Sequence, residues 1–377
     1  MNILMLSSKD INGLNHGAAI RIYNIAKRVA DHGNKVTLIV CVHHLRKTGF
    51  QIESRSENLT IVRTSLIEMI LSSFFFSRMN DCDLFQIEFP YLSYLLLLAR
   101  LMGRRSILDE HGVEIEFVKE ISKARNRKLS TLQFLRTLLL EFLGTKLSTR
   151  VLVCSRVDAK KLRRIYRLPD SKIILAPNGV DEKFAEPVKG HIYKKPAILF
   201  VGSFDHAPNV YATKFLLNEV IPKVFSKNLN CMFVFVGRNP PSWLLEKAAE
   251  GEIEVFGNVD DVRPFIAGAS LVVTPIFHGS GTRIKILECA SMGKAIVSTS
   301  KGAEGLALQD GQSILLRENA RGFAQAILLL LEDRNLAVTI GTKAREKVAR
   351  EYSWALTICE IEKTYEAITH PRSRPHA

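Results

Sequence analysis

Between Pro275 and Leu306 the chain reads PIFHGSGTRIKILECASMGKAIVSTSKGAEGL. That stretch and the run before it carry four features that suit a ligand with both phosphates and paired hydroxyls. An apolar run, Leu271 to Thr274, has the composition of a buried parallel strand. The turn Gly279-Ser280-Gly281 follows it, and the spacing predicts a helix from Thr282 to Met292, closed by Gly293. A glycine turn that opens a helix after a strand points backbone N–H groups and the positive end of the helix dipole at one spot. Arg283 and Lys285 add two cations to the expected first turn. Glu288 stands seven residues after Gly281, close to two helical turns and about 10 Å along the axis. Helical side chains lean back toward the N-terminus, which shortens that gap. A phosphate held at Gly281 and Thr282 would leave an attached ribose near Glu288, whose carboxylate accepts hydrogen bonds from paired hydroxyls. The spacing therefore suits a nucleoside diphosphate. An amphipathic helix with solvated charges is the plain alternative, and the turn, both cations and the spaced acid together weigh against it.

Such a site needs a sheet to carry it. At 377 residues, two domains are the natural expectation, and a hydrophobic fraction of 47% supplies their cores. The net charge of +14 calls for an anionic partner or surface. No aromatic interleaving or known motif accompanies the basic residues, so nucleic acid is not expected. Six cysteines without a CxxC pair give neither a metal site nor a disulfide framework, and suggest reduced, cytoplasmic thiols. MNILMLSS reads as a first strand rather than a signal peptide, and no apolar run reaches the ~18 residues of a membrane span.

Asn2 to Leu6, a glycine loop from Lys9 to Gly17, a helix from Ala18 to His32 and a strand from Lys35 to Val42 form the opening unit of a Rossmann-like domain. The dinucleotide fingerprint GxGxxG is absent. Asp81-Cys82-Asp83 reads as a turn before the strand Leu84 to Ile87, with no metal assigned. Tyr91 to Met102 reads as a core helix. The strand Ser106 to Leu108 ends in Asp109-Glu110-His111-Gly112-Val113-Glu114, at the end of a parallel strand where functional side chains sit. Lys119 to Arg167 carries a large excess of cations around the apolar stretch Leu132 to Leu143, the makings of a helix that lies on an anionic membrane. Strands at Val151 to Cys154 and Lys172 to Ala176 flank a helix capped by Ser155. After residues 182–196, strands at Ala197–Val201, Met232–Val236, Ile253–Phe256, Leu271–Thr274, Ala295–Thr299 and Ser313–Leu316 alternate with helices. That pattern is a doubly wound parallel sheet.

GSGTRIKILE followed by GAEGL, together with SRVDAKKLRRIYRLP and ILAPNGVDEKF, resembles the family 4 retaining glycosyltransferases. The resemblance implies the GT-B fold, in which two Rossmann-like domains face each other across a cleft and a C-terminal helix crosses back to the first. It divides the chain into residues 1–181, a linker 182–196, a nucleotide-sugar domain 197–350, the returning helix 351–369 and a disordered tail 370–377. By the same resemblance Gly17 and Arg21 match the glycine loop near the donor, and His111 contacts the transferred sugar. Gly202 and Ser203 end the first strand of the second domain at the phosphates or sugar, and Gly257 lies in the turn that reads the base. Many members carry an acid at the Ser280 position, an arginine at Ser203 and a lysine at Asn209. This chain has none of the three, and Arg283 with Lys285 supply the cationic charge instead.

The expectation is a metal-free, retaining transfer of a sugar from a nucleoside diphosphate to a glycan or lipid-linked glycan. The enzyme would be cytoplasmic or peripheral on the inner face of a membrane, and would serve polysaccharide or glycolipid synthesis. An epimerase or phosphorylase on the same fold, and a non-catalytic nucleotide-binding subunit, are the rival readings.

Overall fold

The computed structural model describes residues 1–12, 16–41, 51–54, 56–124 and 130–370. The chain forms two compact units. One is Met1–Asn178 with the C-terminal segment from Trp354, and the other is Gly179–Ser353.

The first unit contains β1 (Asn2–Ser7), α1 (Gly17–Asp31), β2 (Lys35–Cys41), β3 (Gln51–Ser54), β4 (Leu59–Thr64), α2 (Leu66–Leu71) and α3 (Ser73–Asp81). It continues with β5 (Leu84–Glu88), α4 (Leu95–Leu101), β6 (Arg105–Glu110), α5 (Glu114–Ala124), α6 (Thr131–Leu147), β7 (Arg150–Val153), α7 (Arg156–Tyr166) and β8 (Ile173–Leu175). The strands lie in the order β3-β4-β2-β1-β5-β6-β7-β8, parallel except for the edge strand β3. Helices cover both faces, so the central strands are buried along their length rather than on alternate residues. Leu4, Leu6, Phe85, Ile87 and Val151 face one layer, and Ile3, Met5, Leu38, Ile107 and Leu152 face the other.

The second unit contains β9 (Ala197–Val201), α8 (Ala207–Phe215), α9 (Ile221–Phe225), β10 (Met232–Gly237), α10 (Ser242–Ala249), β11 (Ile253–Gly257) and α11 (Arg263–Gly268). It ends with β12 (Leu271–Thr274), α12 (Ile284–Ser291), β13 (Ile296–Ser298), β14 (Leu315–Leu316), α13 (Ala320–Glu332) and α14 (Arg334–Glu351). Its all-parallel order is β11-β10-β9-β12-β13-β14. Counted within the unit this is 3-2-1-4-5-6, with the reversal of strand order between β9 and β12. The last helix, α15 (Trp354–Thr369), belongs to the first unit. There it buries Trp354, Ile358, Ile361 and Tyr365 in the layer that also holds α1.

Several expectations shift. The helix expected at Tyr91 to Met102 is a 3-10 turn at Pro90–Leu92 and then α4. The strand expected from Ser313 shrinks to Leu315–Leu316, because Gln309 to Gly311 fold back on Ser313 and Ile314 instead. Residues 371–377 of the predicted tail, and Val42 of the second strand, lie outside the described residues. Asp81 closes α3 rather than forming a free turn, and Asp83 accepts a hydrogen bond from the Asn2 backbone at the foot of β1.

Candidate functional site

The predicted site residues fall into two groups, one in each unit. In the second unit, Gly202 follows β9, and the loop carrying Gly279 to Arg283 follows β12. Both lie at the carboxyl ends of the two strands that flank the reversal of strand order, where open α/β sheets bind ligands. The loop depends on two left-handed residues, Gly279 at φ 117° and Gly281 at φ 70°. Side chains are strained there, which accounts for both glycines.

The helix starts at Ile284, two residues later than expected. Arg283 is its N-cap, held extended at φ −91° and ψ 98°. Its guanidinium therefore does not project from a first turn. It folds back to donate to the carbonyls of Ser280 and Gly281, bracing the glycine loop. Ser280 and Thr282 are half-buried beside it.

Lys285 is inside the first turn. Its ammonium donates to Asn209 Oδ1 at 2.7 Å and lies 5.0 Å over the Phe200 ring. Asn209 in turn donates to the Ser203 carbonyl at 2.7 Å. A Cβ on Gly202 would stand 2.7 Å from the lysine Nζ, so glycine is what admits the ammonium to this place. Burial lowers Lys285 to about 8. The positive charge absent from the Asn209 position is thus delivered to the same spot from the opposite direction. Among the described residues Ser203 offers its hydroxyl to Asp205 alone, at 3.5 Å.

Glu288 is half-buried on the same helix. Burial pushes its carboxyl up to about 7, against the pull of Lys183 and Lys285. Lys183 belongs to a 3-10 turn, Glu182–Phe184, in the stretch read from sequence as linker; nothing local to that stretch announced a role. Gly257 ends β11, and a Cβ there would press on Pro240. Asn258 follows at φ 55°, donating its N–H to the Gly237 carbonyl and accepting from the Asn239 backbone. Phe256 packs with His191 and Phe265 rather than standing alone.

In the first unit, His111 lies beyond the end of β6 and is mostly buried. Its Nε2 is 2.9 Å from Glu88 Oε2 at the end of β5, and the Phe89 ring stacks on it at 4.1 Å. Glu88 was not among the residues singled out from sequence, since a lone acid in an apolar strand carries no signal. Arg21, matched to the glycine loop, is fully buried: it pairs with Asp109 through Nε at 2.9 Å and Nη2 at 2.8 Å. Its remaining nitrogen donates to Ala176 O and Asn178 Oδ1, so it ties α1 to β6 and β8 and is neither a surface arginine nor open to a ligand. Gly17 is the first residue of α1, next to His16, whose Nδ1 caps the helix. Glu88, Asp109 and His111 bring one ligand atom each within 4.8 Å of one another. They suit a metal poorly, because Arg21 already holds both Asp109 oxygens and its charge repels a second cation.

Two family models match the chain: Glycosyltransferase Family 4 over residues 15–184, and Glycosyl transferases group 1 over residues 195–333. A phosphatidyl-myo-inositol mannosyltransferase of Mycolicibacterium smegmatis is 27% identical over 228 residues, 58% of each chain. The chain thus spans less than two thirds of that relative's length. The structure of HepE from Anabaena in complex with UDP superposes with a TM-score of 0.72 at 13% identity, over 97% of this chain and 100% of that one. WaaG, a glycosyltransferase involved in lipopolysaccharide biosynthesis, superposes at 0.68 and 14%, over 98% and 100%. At such identities the two structures establish the fold.

Proposed function

We propose that this chain, which belongs to the family 4 glycosyltransferases and has their GT-B fold, moves a sugar from a nucleoside diphosphate to a hydroxyl of a glycan or glycolipid acceptor. The observation that carries the reading is the arrangement at the strand reversal of the second unit. A half-buried ammonium, Lys285, sits between Gly202 and Asn209, among the described residues with no carboxylate in its hydrogen bonds, and Glu288 follows three residues later on the same helix. A lysine held that way is costly to keep without an anion to meet. Lys285 then faces the diphosphate and Glu288 the ribose, while the turn Gly257-Asn258 lies by the base and His111 contacts the sugar.

Negative charge develops on the departing diphosphate. Lys285 and the N–H groups at the start of α12 are aimed to stabilise it, with Arg283 keeping the loop in shape. No side chain need form a covalent intermediate, and the cation takes over the role a metal plays elsewhere. Retention follows the family's habit, as does the use of a nucleotide-bound sugar, which HepE's complex with UDP-glucose exemplifies. The position of Lys285 weakens the reading as a non-catalytic subunit, since the cation missing at Asn209 is replaced. The test is a thermal-shift and calorimetric panel of UDP, GDP and ADP with their sugars, followed by diphosphate release from the tightest donor over an acceptor panel. Binding of none of them overturns the reading; binding without release to any acceptor returns the non-catalytic one.

The acceptor side we assign to a membrane-borne molecule. No helix among the described residues is long and apolar enough to cross a membrane. α6, however, is built inside out: it buries Thr137, Glu141, Gly144 and Thr145 and exposes Leu132, Leu135, Leu139 and Phe142. Arg136 and Lys146 flank that stripe. Exposed leucines beside cations suit the interface of an anionic bilayer. Arg125, Arg127 and Lys128, also expected there, lie outside the described residues.

A further inference from the structure

His111 is held from behind by three buried side chains. Tyr365 of α15 donates its hydroxyl to Gln86 Oε1 at 2.6 Å. The Gln86 amide donates to Glu88 Oε1 at 2.7 Å, and Glu88 Oε2 meets His111 Nε2 at 2.9 Å. Tyr365, Gln86 and Glu88 are each 0% exposed. The direction of this chain follows from its end. Burial and Asp109 raise the Glu88 carboxyl while its hydrogen bonds to His111 and Gln86 pull it down; as a carboxylate it accepts from both, with the Gln86 N–H₂ turned toward it and the Gln86 carbonyl toward Tyr365. The imidazole face is fixed separately. Phe89 stacks on it while adopting φ 69°, a backbone conformation that costs a bulky residue energy. The Phe89 N–H donates to the Asp109 carbonyl, which holds that conformation in place.

We infer that Tyr365, Gln86 and Glu88 are positioning residues that keep the His111 proton on Nε2, so that Nδ1 faces the ligand as a bare acceptor for a sugar hydroxyl. Among the described residues Nδ1 has no hydrogen-bond partner. An acceptor there selects a donor sugar that carries a hydroxyl at the contacted carbon, and disfavours one that carries a carboxylate. The same logic operates when a carboxylate orients a metal-bound or catalytic imidazole through its far nitrogen. The inference rests on His111 being the sugar contact, and it adds which nitrogen makes that contact and what fixes it.

The experiment uses the full chain labelled with ¹⁵N-histidine and free of ligand, with the His111 ring signals identified by their loss in His111→Asn. At a pH where the ring is neutral, its proton is expected on Nε2 and slow enough in exchange to be seen in water. Glu88→Leu should speed that exchange at least tenfold and admit the Nδ1–H tautomer. Tyr365→Phe, a gentler change should Glu88→Leu fail to fold, should speed it several-fold. A proton on Nδ1 in the parent protein overturns the inference, and so does unaltered exchange in whichever variants fold. The sugar contact is tested apart from this: if His111→Asn leaves affinity for the tightest donor of the panel unchanged, that contact falls. The relay measurement on the free protein keeps its own outcome.

Discussion

Glu288 and Lys285 lie within one turn of each other, and burial moves their proton affinities toward one another, up to about 7 and down to about 8. A nucleoside diphosphate needs the carboxylate charged and the lysine charged. Below about 7 the first condition fails, and above about 8 the second does, so affinity should peak between them. Calorimetry from about pH 6 to about pH 9 should show that maximum. Glu288→Gln should remove the acid limb and weaken binding about 10- to 100-fold, the value of a charge-assisted hydrogen bond of ~1.5–3 kcal/mol. Equal affinity in mutant and parent would end the ribose assignment. Lys285→Met should lose the alkaline limb and a comparable factor in affinity, yet melt at a higher temperature. The sign follows from its lowered pKa: the folded state holds the charged lysine at a cost that is relieved only above about 8. The pair itself was legible in sequence, because three residues on one helix fix their common side. The contacts of Asn209 with Lys285 and of Glu88 with His111 were not, because each joins two different elements rather than neighbours along the chain.

At the scale of elements, the buried runs of β1, β9, β10 and β12 are readable as strands, since short runs of three to five apolar residues bounded by polar or glycine turns allow little else. The start of α12 was read two residues early, because Gly281 in the left-handed region and an extended Arg283 delay the first helical turn. β3, β4, α2 and α3 have no counterpart in the sequence reading. A four-residue edge strand and a six-residue helix are too short to show a period. α6 was seen as apolar, but only packing shows which face is inside. Gly144 is pressed against Ser93, and Glu141 turns inward to accept the N–H groups of Glu114 and Ile115 at the start of α5 and the Tyr166 hydroxyl. Leu138 and Leu147 pack on the core beside them, and Leu132, Leu135 and Leu139 are left outside. Vesicles containing anionic lipid should therefore sediment the protein at low salt, and neutral vesicles should not. Leu135→Ser with Leu139→Ser should release it without altering nucleotide affinity, and indifference of the parent protein to anionic vesicles would sink the docking idea. At the end of β6, Glu110 is buried with neither carboxyl oxygen hydrogen-bonded among the described residues, and burial, followed by Glu141 and Glu114, holds its pKa well above the usual carboxylate range. The folded protein then keeps a proton there that the unfolded chain gives up, so this group lowers stability as pH rises past the ordinary carboxylate range. Glu110→Gln should flatten that decline and raise stability at neutral pH by about 1–3 kcal/mol, read by urea unfolding across pH. A steeper decline in the mutant would show that the carboxyl has a partner it needs.

At the scale of the whole molecule, two α/β units are legible from the alternation of strands and helices. The contact boundary falls after Asn178 rather than after residue 181. The second unit enters and leaves beside itself, since Val180 and Ser353 form a parallel bridge. It is therefore an insertion with its own core, and residues 179–353 expressed alone should melt cooperatively and bind the nucleotide that the full chain binds. A chain stopped after Ser353 should keep that transition and lose the other, because Trp354 and Tyr365 fill the first unit's core. Differential scanning calorimetry separates the two cases. The same threading sets a clock on the ribosome. At about 5–20 residues per second, synthesis of the insertion occupies roughly ten to thirty-five seconds between Asn178 and Trp354. Throughout that interval the nascent first unit holds a sheet with one helix still unmade. The layer awaiting Trp354, Ile358 and Ile361 stands open to water and to chaperones, while the later-made unit is free to fold first. Maturation thus runs against the order of translation, and the His111 relay, closed by Tyr365, is among the last parts of the enzyme to exist.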